Sequence, residues 1–118
     1  LGAGQILNVE ELLSRSGSSA RRALRILNAF NEAYAGLLGL LQAGREAKSA
    51  EALRRAAHAL KGTLLDIGAD GVASVAAKVE KYGTEGNLDG ALSLTQPLEH
   101  GTQLVASIVK EILSANTP

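Results

Sequence analysis

The chain has 118 residues, 46% of them hydrophobic, and its twelve basic and twelve acidic side chains cancel. This length suits a single domain, and zero net charge argues against binding to nucleic acid or to a membrane surface. The chain contains no Cys, which excludes disulfides and zinc–thiolate sites. No apolar run approaches the roughly 20 residues needed to cross a bilayer, so we expect no membrane contact.

The chain opens at Leu1 and contains no Met, which favours a segment of a longer polypeptide. We expect a single domain over residues 1–118, with 1–7 as a linker or residues left from cloning and 8–118 as a helical bundle. An Ala- and Leu-rich composition with only two Pro residues favours helix over strand.

Helical periodicity predicts a short first helix and a long second one. The first helix starts near Asn8 and ends within residues 15–17. Ser18 or Ser19 then caps the second helix, and Gly44 is its expected end. Apolar residues three and four positions apart predict its buried stripe: Ala23, Leu27, Phe30, Tyr34, Leu37 and Leu41.

The third helix is predicted to start after Ser49 and to end at Gly68, which can adopt the left-handed conformation common after a helix. Asp70 is the expected N-cap of a fourth helix. The predicted core residues are Leu53, Ala57, Leu60, Leu64 and Ile67 in the third helix and Val72, Val75, Ala76, Val79 and Tyr82 in the fourth.

After a loop at residues 83–87, the last helix is predicted over residues 88–113. Pro97 falls inside it and is expected to kink it or break it locally. Its predicted core residues are Ala91, Leu98, Val105, Ile108 and Ile112. Long amphipathic helices joined by short loops favour an all-α fold, an antiparallel four-helix bundle with a short extra N-terminal helix.

His58 lies on the third helix, away from the predicted core stripe. At roughly 100° per residue, the stripe centres about 150° from His58, so the imidazole is expected to face solvent. The same outer face carries Arg54, Arg55, Lys61, Gly62 and Leu65. An exposed Leu two turns from an exposed His suggests a small docking patch.

An exposed imidazole with a cation one turn away suits phosphoryl transfer, because one ring nitrogen is nucleophilic when the other holds the proton. Lys61 can neutralise phosphoryl oxygens. Gly62, which costs about 1 kcal/mol relative to Ala in a helix, leaves room for another molecule. Glu80 on the fourth helix is the best candidate to bond the second ring nitrogen. Glu80 could instead pair with a surface Lys, such as Lys78 or Lys81.

His100 has no Lys three residues later, and we interpret it as an ordinary helix residue. The two His residues are far apart in the sequence, and neither belongs to a His-x-x-x-His pattern or an acidic cluster. No metal site is therefore expected.

The third helix closely resembles the signature of the histidine-containing phosphotransfer (HPt) domain family through His58, Lys61, Gly62, Thr63 and, further on, Gly68. The resemblance covers nearly the whole chain. It implies that His58 is phosphorylated at Nε2 and exchanges the group with aspartates of response-regulator receiver domains. A Gln or Glu on the following helix commonly bonds the other ring nitrogen in this family, and Glu80 stands at the matching spacing. Related domains of chemotaxis kinases often carry a second His where this chain has Ala77, which favours the phosphorelay branch.

The resemblance further implies a carrier without kinase activity or a cofactor of its own, with Mg²⁺ on the receiver partner. The expected partners are receiver domains and sensor kinase domains, in the same chain or a separate one. We expect a cytoplasmic monomer at the C-terminal end of a hybrid sensor histidine kinase, which can itself be membrane-bound.

A local basic rim is expected to orient the receiver's acidic pocket and comprises Arg54, Arg55, Lys61, Lys78 and Lys81. Leu65 is expected to add an apolar docking contact. The alternative function is a helical-bundle adaptor that binds a signalling partner without being phosphorylated. The intact His-x-x-Lys-Gly pattern favours the phosphorelay.

Overall fold

Four α-helices follow one another in the computed structural model, which describes residues 20–116. They are α1 (Ala20–Ala47), α2 (Ala50–Asp66), α3 (Asp70–Thr84) and α4 (Leu88–Ala115). Each helix packs against the next, and α1 also packs along α4. The all-α, antiparallel four-helix bundle is therefore confirmed. The predicted N-terminal helix, its linker and the capping Ser18 or Ser19 lie outside the described residues.

The ends of α2 follow the predicted signals. Ser49 precedes the helix, and its hydroxyl oxygen accepts a hydrogen bond from the backbone N–H of Ala52 at 3.1 Å. At the other end, Gly68 has a φ of 75°. The amides of Gly68 and Ala69 donate to carbonyls of the last turn at 3.0 and 2.9 Å. Both ends of α2 therefore have the local bonds that the sequence predicted.

Asp70 is the first residue of α3 and not its N-cap, so that prediction was wrong. Ala69 occupies the cap position and makes no side-chain capping bond. The turn after α2 needs only Gly68 and Ala69, so α3 begins one residue earlier than the capping pattern indicates. Asp70 still lies in the first turn, where a negative charge favours the helix.

The centre of the core comes from α2 and its C-cap Ile67, and the five core residues predicted there all have 0% exposure. In the other helices the predicted stripes are displaced slightly, and Leu38 and Ala73 are buried in addition. The predicted core residues that are only partly buried are Tyr34, Leu37, Val72, Val75, Tyr82, Ile108 and Ile112. Tyr34 has a reason to stay near the surface, because its hydroxyl accepts a hydrogen bond from Lys110 Nζ at 2.6 Å.

The last helix continues through Pro97, so the predicted local break was wrong, while a kink there stays a prediction. Pro97 is exposed, and buried residues on both sides of it hold the helix against the bundle. Thr95 and Thr102 belong to that buried stripe. Their hydroxyls donate to the carbonyls of Leu92 and Leu98 at 2.9 and 2.8 Å, which satisfies them within the helix.

Candidate functional site

His58 projects from the outer face of α2. Its side chain is 67% exposed, whereas Ala57 and Leu60 on the same helix are fully buried. The periodicity that buries one face of α2 therefore presents the imidazole to solvent, and the predicted orientation is confirmed.

A carboxylate from α3 holds this imidazole. Glu80 Oε2 lies 2.5 Å from His58 Nδ1, and Glu80 Oε1 accepts a hydrogen bond from Lys61 Nζ at 2.5 Å. Only 19% of the Glu80 side chain is exposed. Three residues singled out from the sequence thus form one connected cluster. Lys78 and Lys81, the other possible partners of Glu80, make no ion pair with any residue of 20–116.

The charge on Glu80 decides which nitrogen of His58 carries the proton. The hydrogen bond from Lys61 lowers the pKa of Glu80 most, and the bond with His58 lowers it further, against the opposing effect of burial. Glu80 is therefore an ionised acceptor at neutral pH, and Nδ1 of a neutral His58 must donate to it. That assignment leaves Nε2 unprotonated and nucleophilic.

We expect Lys61→Met to raise the pKa of Glu80 towards its ordinary value of 4.5, because the largest cause of the lowering is removed. The midpoint can be read from the side-chain carboxyl ¹³C signal during an acid titration. A lowered pKa in the fold means that the stabilising contribution of Glu80 is complete above pH 4.5 and is lost as the pH falls through the lowered value. An unchanged midpoint in the variant would contradict the assigned cause.

Two glycines near His58 have opposite surroundings. A Cβ at Gly62 would meet no heavy atom within 4 Å. A Cβ at Gly83 would lie 2.8 Å from the backbone oxygen of Ala50 and 2.8 Å from Cβ of Arg54. Gly83 is thus needed for the close approach of α2 and α3, and it lies in α3 although the sequence placed it in a loop. No packing contact explains why Gly62 stands where a better helix former would fit. Its missing side chain leaves open surface beside His58.

Arg54 packs beside Gly83 of α3, and Glu51 bonds its guanidinium. Arg54 Nε and the amino nitrogen Nη2 donate to the two Glu51 carboxylate oxygens at 2.9 and 2.6 Å. Glu51 was not predicted as a site residue, although its three-residue spacing from Arg54 is a signal for such a pair.

Arg55 and Leu65 face solvent on either side of His58 along α2. Arg55 is exposed and makes no ion pair within the described bundle. It borders a shallow groove of about 540 Å³ between α1 and α2, lined also by Leu40, Ala43, Gly44, Ala47, Ala52 and Ala56. Leu65 and Leu40 are exposed by 37% and 58%. The predicted docking face therefore joins a largely apolar groove that sequence reasoning missed.

Lys78 and Lys81 are exposed on α3 and do not join the cluster at His58. Together with Tyr82 and Glu85 they line a separate shallow groove. The predicted basic rim is thus divided between two helices.

His100, the second His, is exposed on α4, and no side chain of the described bundle bonds its ring. Between residues 20 and 116, no group of three or more metal-ligating side chains could hold a metal ion. None of the four helices combines the length and apolar character that crossing a bilayer requires.

Comparison with known proteins gives a consistent result. The sequence matches the family model for the Hpt domain over residues 9–115. The chain is similar to the crystal structure of histidine-containing phosphotransfer protein B (HptB) from Pseudomonas aeruginosa PAO1. The two share 25% sequence identity at a TM-score of 0.86, with 98% of this chain and 100% of the other covered. No curated protein sequence matches this chain. The chain belongs to the Hpt domain family, whose members carry phosphoryl groups on histidine in phosphorelays.

Proposed function

We propose that Nε2 of His58 accepts a phosphoryl group from a receiver-domain aspartate and passes it to the aspartate of another receiver. The contact between Glu80 and Nδ1 carries this proposal, because it leaves the other ring nitrogen as the exposed nucleophile. Lys61 and Gly62 support transfer by supplying a cation and open space. The chain is a carrier and has no kinase activity of its own.

The transfer needs no proton to leave the ring. As a P–N bond forms at Nε2, the P–O bond to the receiver's aspartate breaks and its carboxylate departs. The proton on Nδ1 stays, so the phosphorylated imidazole becomes cationic. Glu80, which is already ionised and in place, stabilises that positive charge. The reverse steps deliver the group to the next receiver.

We assign docking of the receiver to Arg54, Arg55 and Leu65 on α2, with Lys78 and Lys81 on α3. Exposed cations around His58 suit the acidic pocket in which a receiver holds its Mg²⁺ and aspartate. Charges at the rim of such an interface affect orientation and association rate more than affinity.

The setting of the domain is also a proposal. We propose that it acts as a cytoplasmic monomer at the C-terminal end of a hybrid sensor histidine kinase, with that kinase and receiver domains as its partners. The gene region that precedes Leu1 tests the placement. Kinase and receiver domains encoded upstream would support it, and a start codon directly before Leu1 would contradict it.

Incubation with a ³²P-labelled receiver and Mg²⁺ tests the proposed function. Label should pass to this chain, and it should be labile in acid and stable in base, as a phosphoryl group on a ring nitrogen is. Absence of transfer from several receivers would support the alternative adaptor function. Label that is labile in base as well as in acid would indicate an aspartate or glutamate acceptor instead.

We expect Glu80→Ala to slow transfer by about 10- to 100-fold, since a charge-assisted hydrogen bond to the reacting ring is lost. The ring would then populate both tautomers, and nothing would stabilise its cationic phosphorylated form. Rapid-quench measurement of transfer from the receiver gives the rate. Glu111→Ala, an exposed change on α4, is the control. The bundle should remain folded by circular dichroism, and an unchanged rate would remove Glu80 from the mechanism.

We expect Gly62→Gln to stabilise the fold while impairing transfer. Gln is a better helix former by about 0.5–1 kcal/mol, and the position has open space around it. A longer side chain would hold the receiver away from His58, which should slow transfer by about tenfold or more. Gly39→Gln, at an equally open position in α1, should stabilise the fold without slowing transfer. Equal transfer rates in the two variants would show that Gly62 has no part in docking.

A further inference from the structure

The Glu51–Arg54 pair lies one to two turns before His58 on the same face of α2. Both side chains make the contact through two hydrogen bonds, at 2.9 and 2.6 Å. Exposed ion pairs of this kind contribute little to stability, so the fold itself does not require the contact. Its effect is on where the Arg54 guanidinium points.

Arg54 is well placed to reach a group attached to His58. Residues four apart on a helix are neighbours, and helical side chains lean towards the N-terminus, so the imidazole leans over the turn that carries Arg54. The stem of Arg54 packs against α3 where Gly83 leaves room for it. Arg54 is also close enough to Glu80 for an electrostatic interaction with its carboxylate. In this structure the guanidinium is bonded to Glu51.

Two of the cations near His58 are already paired before phosphorylation. Lys61 is bonded to Glu80 and Arg54 to Glu51, while Arg55 makes no ion pair within the described bundle. Phosphoryl oxygens bring a charge of about −1.5 to −2 next to these side chains, and the positive charge of the phosphorylated ring offsets it only in part. Glu51, unlike Glu80, does not bond the ring, so its release to water leaves the orientation of His58 unchanged.

We propose that Arg54 is a second phosphoryl ligand, which Glu51 holds in the unphosphorylated state and which moves to the phosphoryl oxygens once His58 is phosphorylated. This inference rests on His58 being the phosphoacceptor. In the exchange, two hydrogen bonds to the Glu51 carboxylate break, bonds from the guanidinium to the phosphoryl oxygens form, and water hydrates Glu51. Glu51 is then a positioning residue that competes with the phosphoryl group for Arg54.

Competition predicts opposite effects of the two residues on the transfer equilibrium between receiver and carrier. Arg54→Gln should shift the ratio of phosphorylated carrier to phosphorylated receiver towards the receiver by about two- to tenfold. Glu51→Gln should shift it towards the carrier by about two- to fivefold. Glu111→Gln, a distant exposed change on α4, should leave the ratio unchanged.

A double-mutant cycle separates competition from simple repulsion, because Glu51 also repels a phosphoryl group through its charge. If Glu51 acts by holding Arg54, then Glu51→Gln should have little effect in the Arg54→Gln background. The same shift in both backgrounds, or no shift on Arg54→Gln, would overturn the proposal while leaving His58 as the phosphoacceptor. Failure of the wild-type chain to take up phosphoryl would overturn the proposed function and this inference together.

A direct readout is the Nε–H NMR signal of Arg54, since that group donates to Glu51 at 2.9 Å. Phosphorylation should move it strongly in the wild type, and Glu51→Gln alone should move it part of the way. A signal that is unmoved by phosphorylation would contradict the exchange of partners.

Discussion

His58→Gln is expected to abolish phosphoryl uptake completely. Gln keeps a polar side chain of similar length at an exposed position, so the bundle should fold with unchanged stability. It has no nucleophilic nitrogen, and no other imidazole on α2 can replace the lost one. Transfer from a labelled receiver should therefore leave the variant unlabelled at all times.

His100→Gln is the matched control. Its ring is exposed like that of His58, yet the described structure places neither a carboxylate nor a Lys in contact with it. Uptake should proceed at the wild-type rate in this variant. Label on His58→Gln, or loss of label on His100→Gln, would show that the phosphoacceptor has been assigned to the wrong residue.

Leu60→Ala is expected to lower the free energy of unfolding by about 2–5 kcal/mol. Leu60 has 0% exposure and lies in the stripe of α2 that faces the other helices. Removal of its side chain leaves a cavity that the packed core cannot fully close. Chemical denaturation monitored by circular dichroism gives the difference.

Leu65→Ala removes the same atoms from the opposite side of the same helix, where the side chain is 37% exposed. Its cost should be about 1 kcal/mol or less. Comparable losses for Leu60 and Leu65 would contradict the orientation of α2, and with it the outward direction of His58. Loss of receiver binding in Leu65→Ala without loss of stability would support its assignment to docking.

The orientation of the site could be predicted because α2 is strongly amphipathic. Its five predicted core residues are all buried, and that pattern alone places His58 on the outer face. The two ends of the helix also had local signals in Ser49 and Gly68. Glu80 was identified because a carboxylate on the next helix was needed for chemistry, and the structure places it at hydrogen-bond distance from Nδ1.

Some features could not be predicted because they depend on how two helices pack together. The periodicity of a single helix does not reveal that packing. Gly83 was assigned to the loop at residues 83–87, but it lies inside α3, where the close approach of α2 leaves no room for a side chain. Thr95 and Thr102 look polar in the sequence, yet they are buried because each hydroxyl bonds a carbonyl of its own helix. Asp70 is not the N-cap of α3, because the turn between α2 and α3 is shorter than the capping pattern of the sequence suggests.

The two ring nitrogens of His58 offer the most direct test of phosphoryl transfer. A chain labelled with ¹⁵N in its His rings can be phosphorylated by a receiver and observed by ¹H–¹⁵N and ³¹P NMR. We expect phosphorus coupled to Nε2 of His58 while Nδ1 keeps its proton in the bond to Glu80. Phosphorus coupled to Nδ1, or to a ring nitrogen of His100, would contradict it.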